Sequence, residues 1–305
     1  MKVHATNEKL QAFLKENPVN GITIVDDPFR CTYLISGRYN KKNYNQNLKG
    51  VIIPYTSHNG VDIDDLISDN LMLFITPTRS KYVAEKAIAL MFALLGNVIT
   101  YHELLKEGNW SSRNSDSRIP WVSVEGLSIG LFGYGRIGRK IHNMIKGFDC
   151  EFYTIEREKE YPSDIILVKN LTNLVQCSDI IIISSPLNQT TESLFDKQLL
   201  SRMKNKFLIN VGRGKIIEEE SLYDALKNNK LKGYASDVWY NYPQGKEVML
   251  PSTYPIHKFD NVVMSNHSGG FTTKTNEEVN QDILKTLKKL KEENFEDKLN
   301  LKNLQ

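Results

Sequence analysis

Apolar residues in this chain follow two periods. Short uninterrupted runs alternate with longer segments in which apolar residues return every three or four positions. The first pattern suits strands buried on both faces, the second amphipathic helices packed against them. Residues 21–25, 51–54 and 71–75 read as strands of a first α/β unit. Residues 127–132, 151–155, 180–183, 207–211, 234–238 and 262–264 read as a second sheet of roughly six strands. Strands alternating with helices predict a parallel, doubly wound sheet. The segment 83–95 is helical and apolar nearly all round, as in a helix buried in a core or between subunits. Gly96 and Asn97 mark a bend before the pattern resumes over 98–105, and the polar stretch 111–118 reads as a linker or an arm. A helix is expected over 218–227. The last helix, 275–291, carries its own stripe at Val279, Ile283, Leu287 and Leu290 and is expected to return to the first domain. This predicts a discontinuous domain of residues 1–97 and 273–305, interrupted by a second domain over 98–272.

One stretch of the second domain adds chemistry. After the strand ending at Phe132, Gly133, Gly135 and Gly138 form G-x-G-x-x-G, followed by a helix with Ile137, Ile141, Met144 and Ile145 on one face. Gly133 permits a tight turn, Gly135 lets backbone approach a pyrophosphate, and Gly138 lets helix and strand pack closely. The helix start, with Arg136 and Ile137, offers unpaired N–H groups and a positive dipole end to phosphates. Glu156 ends the next strand, where its carboxylate can accept both ribose hydroxyls and repel a 2′-phosphate. NAD is therefore the expected cofactor, with Arg157 softening that preference over NADP. The alternative is an ordinary βαβ turn, but strand, glycines, helix, strand and acid occur here in the required order.

Composition narrows the class. The chain has 305 residues, enough for two cores, and a net charge of +3 without the basic stripe of a nucleic-acid binder. The three cysteines are unpatterned, which suits a reducing compartment and neither a disulfide framework nor a metal site. MKVHATNEKL lacks the apolar core of a signal peptide, and the run 87–95 is too short to span a bilayer. A cytoplasmic protein without membrane or nucleic-acid partners is expected.

A second constellation sits at strand ends. Arg213 lies between Gly212 and Gly214, Asp237 in Ser-Asp-Val-Trp, and His267 in Asn-His-Ser-Gly-Gly. C-terminal strand ends of one parallel sheet share an edge, so these groups can converge. Arginine there can clamp a carboxylate and polarise a carbonyl, and histidine can move the proton that accompanies hydride transfer. Taken singly, each has a plainer reading: a turn arginine, a helix-capping aspartate, a loop histidine. In the first domain the turn from Tyr55 to Asp62 could hold a small anion on backbone N–H groups near Gly60, or be a surface loop. His58 reads as a loop histidine. Arg79 could recognise a phosphate or second carboxylate, or be a surface arginine.

Together these motifs resemble the D-isomer-specific 2-hydroxyacid dehydrogenase family. The resemblance runs from about Gly60 to about Thr272 and includes Val83-Ala-Glu85, the three glycines, Pro186-Leu187 with Thr191, Ile209-Asn-Val-Gly-Arg-Gly214, Ser236-Asp-Val238 and Asn266-His-Ser-Gly-Gly270. It implies a Rossmann-type NAD domain inserted into a smaller flavodoxin-like α/β substrate domain. It implies that Arg213 binds the substrate's carboxylate and carbonyl, that His267 is the acid–base, and that Asp237 contacts the nicotinamide carboxamide. It further implies that Pro186, Thr191 and Val211 line the cofactor, that backbone at Asn59 and Gly60 holds the substrate carboxylate, and that a homodimer forms through the NAD domain over 83–121. Two positions depart from the pattern. The family's glutamate before a proline is Tyr242 here, and the proline before the histidine is Asn266. A phenol supplies no negative charge, so the histidine pKa is expected to be lower than in relatives with the glutamate.

The expected function is NAD-dependent reduction of a small 2-oxo acid, such as glyoxylate or hydroxypyruvate, to the D-2-hydroxy acid. Closure of the two domains would exclude water from the reaction. Formate dehydrogenases of the same superfamily, which also lack the glutamate, and a non-catalytic NAD(H)-sensing protein are the competing readings.

Overall fold

The computed structural model describes residues 1–55, 60–113, 120–157, 160–245 and 248–301. It divides into two compact units, Met1–Ser80 with Gly270–Gln305, and Lys81–Gly269.

The smaller unit holds five parallel strands, β1 (Lys2–Ala5), β2 (Thr23–Ile24), β3 (Tyr33–Ile35), β4 (Gly50–Ile53) and β5 (Met72–Ile75), in the order β2-β1-β3-β4-β5. That is the flavodoxin-like order. Successive side chains point to opposite faces. Val3, Ala5, Tyr33, Ile35 and Ile52 pack beneath Leu10, Leu14 and the stripe Val279, Ile283, Leu287 and Leu290 of helix Thr275–Lys291. Leu34, Val51, Ile53 and Leu73 pack with Leu66 on the other face. The last helix thus belongs to the smaller unit, as its apolar stripe predicts.

The larger unit holds seven parallel strands, β6 (Ser128–Phe132), β7 (Glu151–Ile155), β8 (Ile165–Val168), β9 (Ile180–Ile183), β10 (Phe207–Asn210), β11 (Gly233–Ser236) and β12 (Val262–Met264). Their order is β12-β11-β10-β9-β6-β7-β8, every pair parallel. The chain order reverses between β6 and β9, the switch point at which doubly wound sheets bind ligands. In β9, Ile180 and Ile182 face one core and Ile181 and Ile183 the other, all fully buried. Only a sheet covered on both sides can bury four consecutive isoleucines.

Three features differ from the sequence reading. First, β1, β3 and β8 escaped it, because Lys2–Ala5 has one buried face, Ile165–Val168 is an edge strand with only Ile165 buried, and Tyr33–Ile35 is three residues long. The larger sheet therefore has seven strands rather than about six. Second, the buried helix runs Arg79–Leu95 and breaks fully, at a 60° angle, before Val98–Lys106. Asn97 adopts left-handed backbone there, which an α-helix cannot continue through. Third, the chain passes between units at Ser80/Lys81 and Gly269/Gly270 rather than at 97/98 and 272/273. Ala84, Ala87, Leu90, Met91 and Leu94 of the helix pack on Ile129, Leu131 and Ile209 of the larger sheet, which draws the helix into that unit.

Candidate active site and nucleotide loop

The glycine loop sits at the switch point. Gly133 has φ +106°, and a Cβ there would meet the Ser185 side chain at 2.6 Å. A Cβ on Gly138 would lie 2.2 Å from the Gly133 carbonyl oxygen, so any side chain would push helix and strand apart. Gly135 is the opposite case: it is exposed, and a methyl group added there would meet nothing within 4 Å. It precedes helix Arg136–Ile145 and supplies no side-chain cap, leaving the first N–H groups for a phosphate. Ser184 Oγ donates to Gly133 O at 2.7 Å and fixes the turn from the neighbouring strand. Arg136 is exposed and Ile137 half-buried at the helix start. Glu156 is exposed just past β7, with its amide bonded to Val168 O. Thr191 Oγ1 donates to Pro186 O at 2.8 Å, which closes the loop after β9, and Val211 is buried after β10. A close-packed first and third glycine around an open second one is the cradle a pyrophosphate requires, so these residues fit a dinucleotide.

The second constellation gathers at the ends of β10, β11 and β12. Asn210, fully buried, accepts from Gly212 N at 3.0 Å and donates to Arg213 O at 2.9 Å, which sets the Gly-Arg-Gly turn. A Cβ on Gly214 would fall 2.3 Å from Trp239 O, so the turn presses directly on the end of β11. Arg213 Nη1 donates to Gly212 O at 2.6 Å, and burial draws the guanidinium pKa down from its usual value, with Tyr242 opposing.

Asp237 is 3% exposed, and its carboxylate accepts from Ser268 N at 3.0 Å and Gly269 N at 2.8 Å. It thereby pins the two residues after His267, which has left-handed backbone (φ +59°), a region that histidine tolerates better than most residues. The remaining lone pairs of Asp237 leave room for another donor. Tyr242 packs its ring against that of His267, 5.2 Å between centroids and tilted by 55°, and accepts a hydrogen bond from Trp239 N at 3.0 Å. The Trp239 indole donates to Ser265 O at 2.7 Å, tying β11 to the loop that carries the histidine. His267 is open to solvent on one side. Its pKa is lowered first by desolvation and then by the Arg213 guanidinium, with Asp237 opposing. A histidine beside an arginine and without a carboxylate against its ring gives up its proton readily.

Of the residues expected in the smaller unit, Asn59 and His58 lie outside the described residues. Gly60 is exposed and its Cα faces the Gly37 carbonyl, where a Cβ would come within 2.3 Å. Arg79 is not a surface arginine. It is 9% exposed, with its guanidinium 4.8 Å from the Tyr55 ring centroid and 4.7 Å from that of Phe271.

Asn210, Trp239 and the Ser268 and Gly269 amides escaped functional reading from sequence. They act by holding the turn and the histidine loop, and neighbours from three different strands reveal that role. A paired motif position, such as Asn210 two residues before Gly212, is the only linear trace of it.

The profile described as D-isomer specific 2-hydroxyacid dehydrogenase, NAD binding domain, matches residues 88–269. A formate dehydrogenase of Chaetomium thermophilum is 29% identical over 237 residues, covering 74% of this chain and 63% of that protein. The match therefore spans less than two thirds of that relative's length. A glyoxylate reductase of Thermofilum pendens is 30% identical over 232 residues, covering 74% of this chain and 67% of that protein. A solved NAD-dependent formate dehydrogenase from Staphylococcus aureus, in complex with NAD, superposes with a TM-score of 0.73 at 25% identity, over 96% of both chains. The profile covers more than half of the sequence and most of the larger unit, including the glycine loop, Arg213, Asp237 and His267. On that ground the chain belongs to the D-isomer specific 2-hydroxyacid dehydrogenase family, and its larger unit is the family's NAD-binding domain.

Proposed function

We propose that this protein reduces a 2-oxo acid to the D-2-hydroxy acid, with Arg213 and His267 as the catalytic pair. The observation that carries the reading is the convergence of Arg213, Asp237, His267 and Tyr242 at one sheet edge, with Arg213 close enough to depress the His267 pKa. NADH, held by the glycine loop, Glu156 and the Pro186–Thr191 and Val211 region, supplies a hydride when bound. Arg213 grips the substrate carboxylate and polarises the adjacent carbonyl through its fork of donors. His267, protonated, gives its proton to the carbonyl oxygen as that oxygen gains electron density. Such general-acid help contributes roughly 10²–10⁴ in rate. Asp237 holds the loop that aims the imidazole. Glyoxylate and hydroxypyruvate present the required head group with the least bulk.

A second reading rests on the similarity to formate dehydrogenases. Formate oxidation releases carbon dioxide as its C–H hydride leaves, and it needs no proton donor, so a histidine without a carboxylate partner is no handicap there. The two readings separate in one assay. NADH consumption with glyoxylate, hydroxypyruvate and pyruvate, lost in His267→Ala, supports the reductase. NADH formation from formate and NAD⁺ without 2-oxo acid turnover refutes it. NADH binding with neither activity favours a sensor.

We also infer a homodimer. Support comes from large apolar side chains left exposed along one stretch of the larger unit: Val98, Ile99, Leu105, Trp110 and Trp121. Exposed apolar surface rich in tryptophan is characteristic of interfaces.

A further inference from the structure

The turn from Gly133 to Gly135 carries one side chain, that of Tyr134, and it is buried. Its hydroxyl lies 2.8 Å from Nδ1 of His142, eight residues further on in helix Arg136–Ile145. His142 is fully buried, with the Phe152 ring of β7 edge-on at 4.5 Å between centroids. Its Nε2 lies 3.3 Å from Oδ2 of Asp164, just ahead of β8, without the alignment of a full hydrogen bond. A ring nitrogen that faces a carboxylate carries the proton, which leaves the lone pair on Nδ1. The Tyr134 hydroxyl therefore donates to Nδ1. Desolvation lowers the His142 pKa against the pull of Asp164, and Lys146 adds to the lowering, so the ring is neutral near pH 7 and can accept that bond. The Tyr161 ring, 5.6 Å from that of Tyr134, and the Arg139 guanidinium, 5.9 Å from its centroid, complete the enclosure.

Glycines give this turn the conformations it needs and also the freedom to leave them. Ser184 holds the Gly133 carbonyl from the strand side, and His142 holds the next residue from the helix side. A pyrophosphate is gripped by the first N–H groups of the helix, so the grip depends on how Gly135 and Arg136 stand to the helix axis. A loop ordered in advance binds more tightly, because binding no longer has to order it. We propose that Tyr134 and His142 are positioning residues for the pyrophosphate of the dinucleotide, the bond between them fixing the glycine turn to its own helix before the nucleotide arrives. This rests on the NAD-binding domain alone and holds whichever substrate is turned over.

The test measures the Kd of NADH by fluorescence, and that of ADP-ribose by calorimetry, in the wild-type protein, Tyr134→Phe, His142→Leu, the double variant and His142→Asn. Both single losses should raise the Kd of NADH roughly three- to tenfold, the range for one buried hydrogen bond. The double variant should bind no more weakly than the weaker single one, because the two changes break the same bond. Asparagine places Oδ1 where Nδ1 stood, so His142→Asn should recover most of the affinity that His142→Leu loses. ADP-ribose keeps the pyrophosphate and lacks the nicotinamide, and its Kd should rise by the same factor. A lowered Tm with an unaltered Kd in Tyr134→Phe and His142→Leu overturns the proposal, since the pair is then core packing only. Losses that multiply in the double variant, an Asn variant as weak as the Leu variant, or a loss seen with NADH and not with ADP-ribose each overturn it as well. If His142→Leu does not fold, Tyr134→Phe decides, because it removes a single hydroxyl and keeps the ring, and an unaltered Kd there refutes the role.

Discussion

Replacing Tyr242 by glutamate should move the pH limb of the reaction to the alkaline side. In the wild type an uncharged phenol ring lies 5.2 Å from the His267 ring. Desolvation and Arg213 both lower the histidine pKa from its ordinary 6.5, and Asp237 offsets only part of that. Reduction needs the protonated ring, so activity should be present below the folded pKa and fall as pH rises through it. The wild-type limb therefore belongs on the acid side of 6.5. A carboxylate in the ring's place interacts with imidazolium by about 3 kcal/mol at 5.2 Å and an effective dielectric of about 20. At 1.36 kcal/mol per unit that is about two pKa units. Because His267 is open to solvent on one side, screening reduces this to about one unit. Tyr242→Phe is the control, since it removes the hydroxyl that accepts from Trp239 N and adds no charge. The assay is kcat/KM for glyoxylate from pH 5 to 9, with an NMR titration of the His267 ring as a check independent of turnover. A limb at the same pH in the wild type and Tyr242→Glu would refute the reasoning, as would a wild-type reaction that stays flat through neutrality and falls only in alkali.

Three further outcomes follow from the geometry. Gly138→Ala, whose methyl would press on backbone, should destabilise the larger unit by about 1–3 kcal/mol, whereas Gly135→Ala should leave Tm within a degree or two yet weaken NADH binding at least tenfold; calorimetry and NADH fluorescence distinguish them. His142 is fully buried beside Tyr134, and desolvation lowers its pKa against the opposing pull of Asp164, so the folded form binds a proton less readily than the unfolded one. Its contribution is present above 6.5 and lost as pH falls below it, and the drop in Tm between pH 7.5 and 5.5 should be smaller in His142→Gln. The homodimer predicts a mass twice that of the 35.0 kDa chain by light scattering, shifting toward monomer in a Val98→Glu/Ile99→Glu double variant.

The sequence by itself determined six of the seven strands of the larger sheet and its nucleotide loop. Four isoleucines in a row at Ile180–Ile183 can be buried only between two helical layers, and the three glycines with Glu156 announce their ligand by spacing alone. It also singled out Arg213, Asp237 and His267, because each lies at a strand end, and glycines that a turn needs stand close to Arg213 and His267. What it could not determine is what each group faces. Asp237 reads as a helix cap or a nicotinamide contact until Ser268 and Gly269 are seen to donate to it, and those partners lie 31 and 32 residues away. Tyr242 reads as a missing charge, but its ring contact with His267 and its bond from Trp239 depend on how the loop after β11 folds back. Arg79 reads as a surface residue because arginines mostly are, and only the packing of Tyr55 and Phe271, 24 residues before it and 192 after it, buries it. Periodicity and turn chemistry are local and survive in the linear sequence. Burial, charge pairing and desolvation belong to neighbours that only folding brings together.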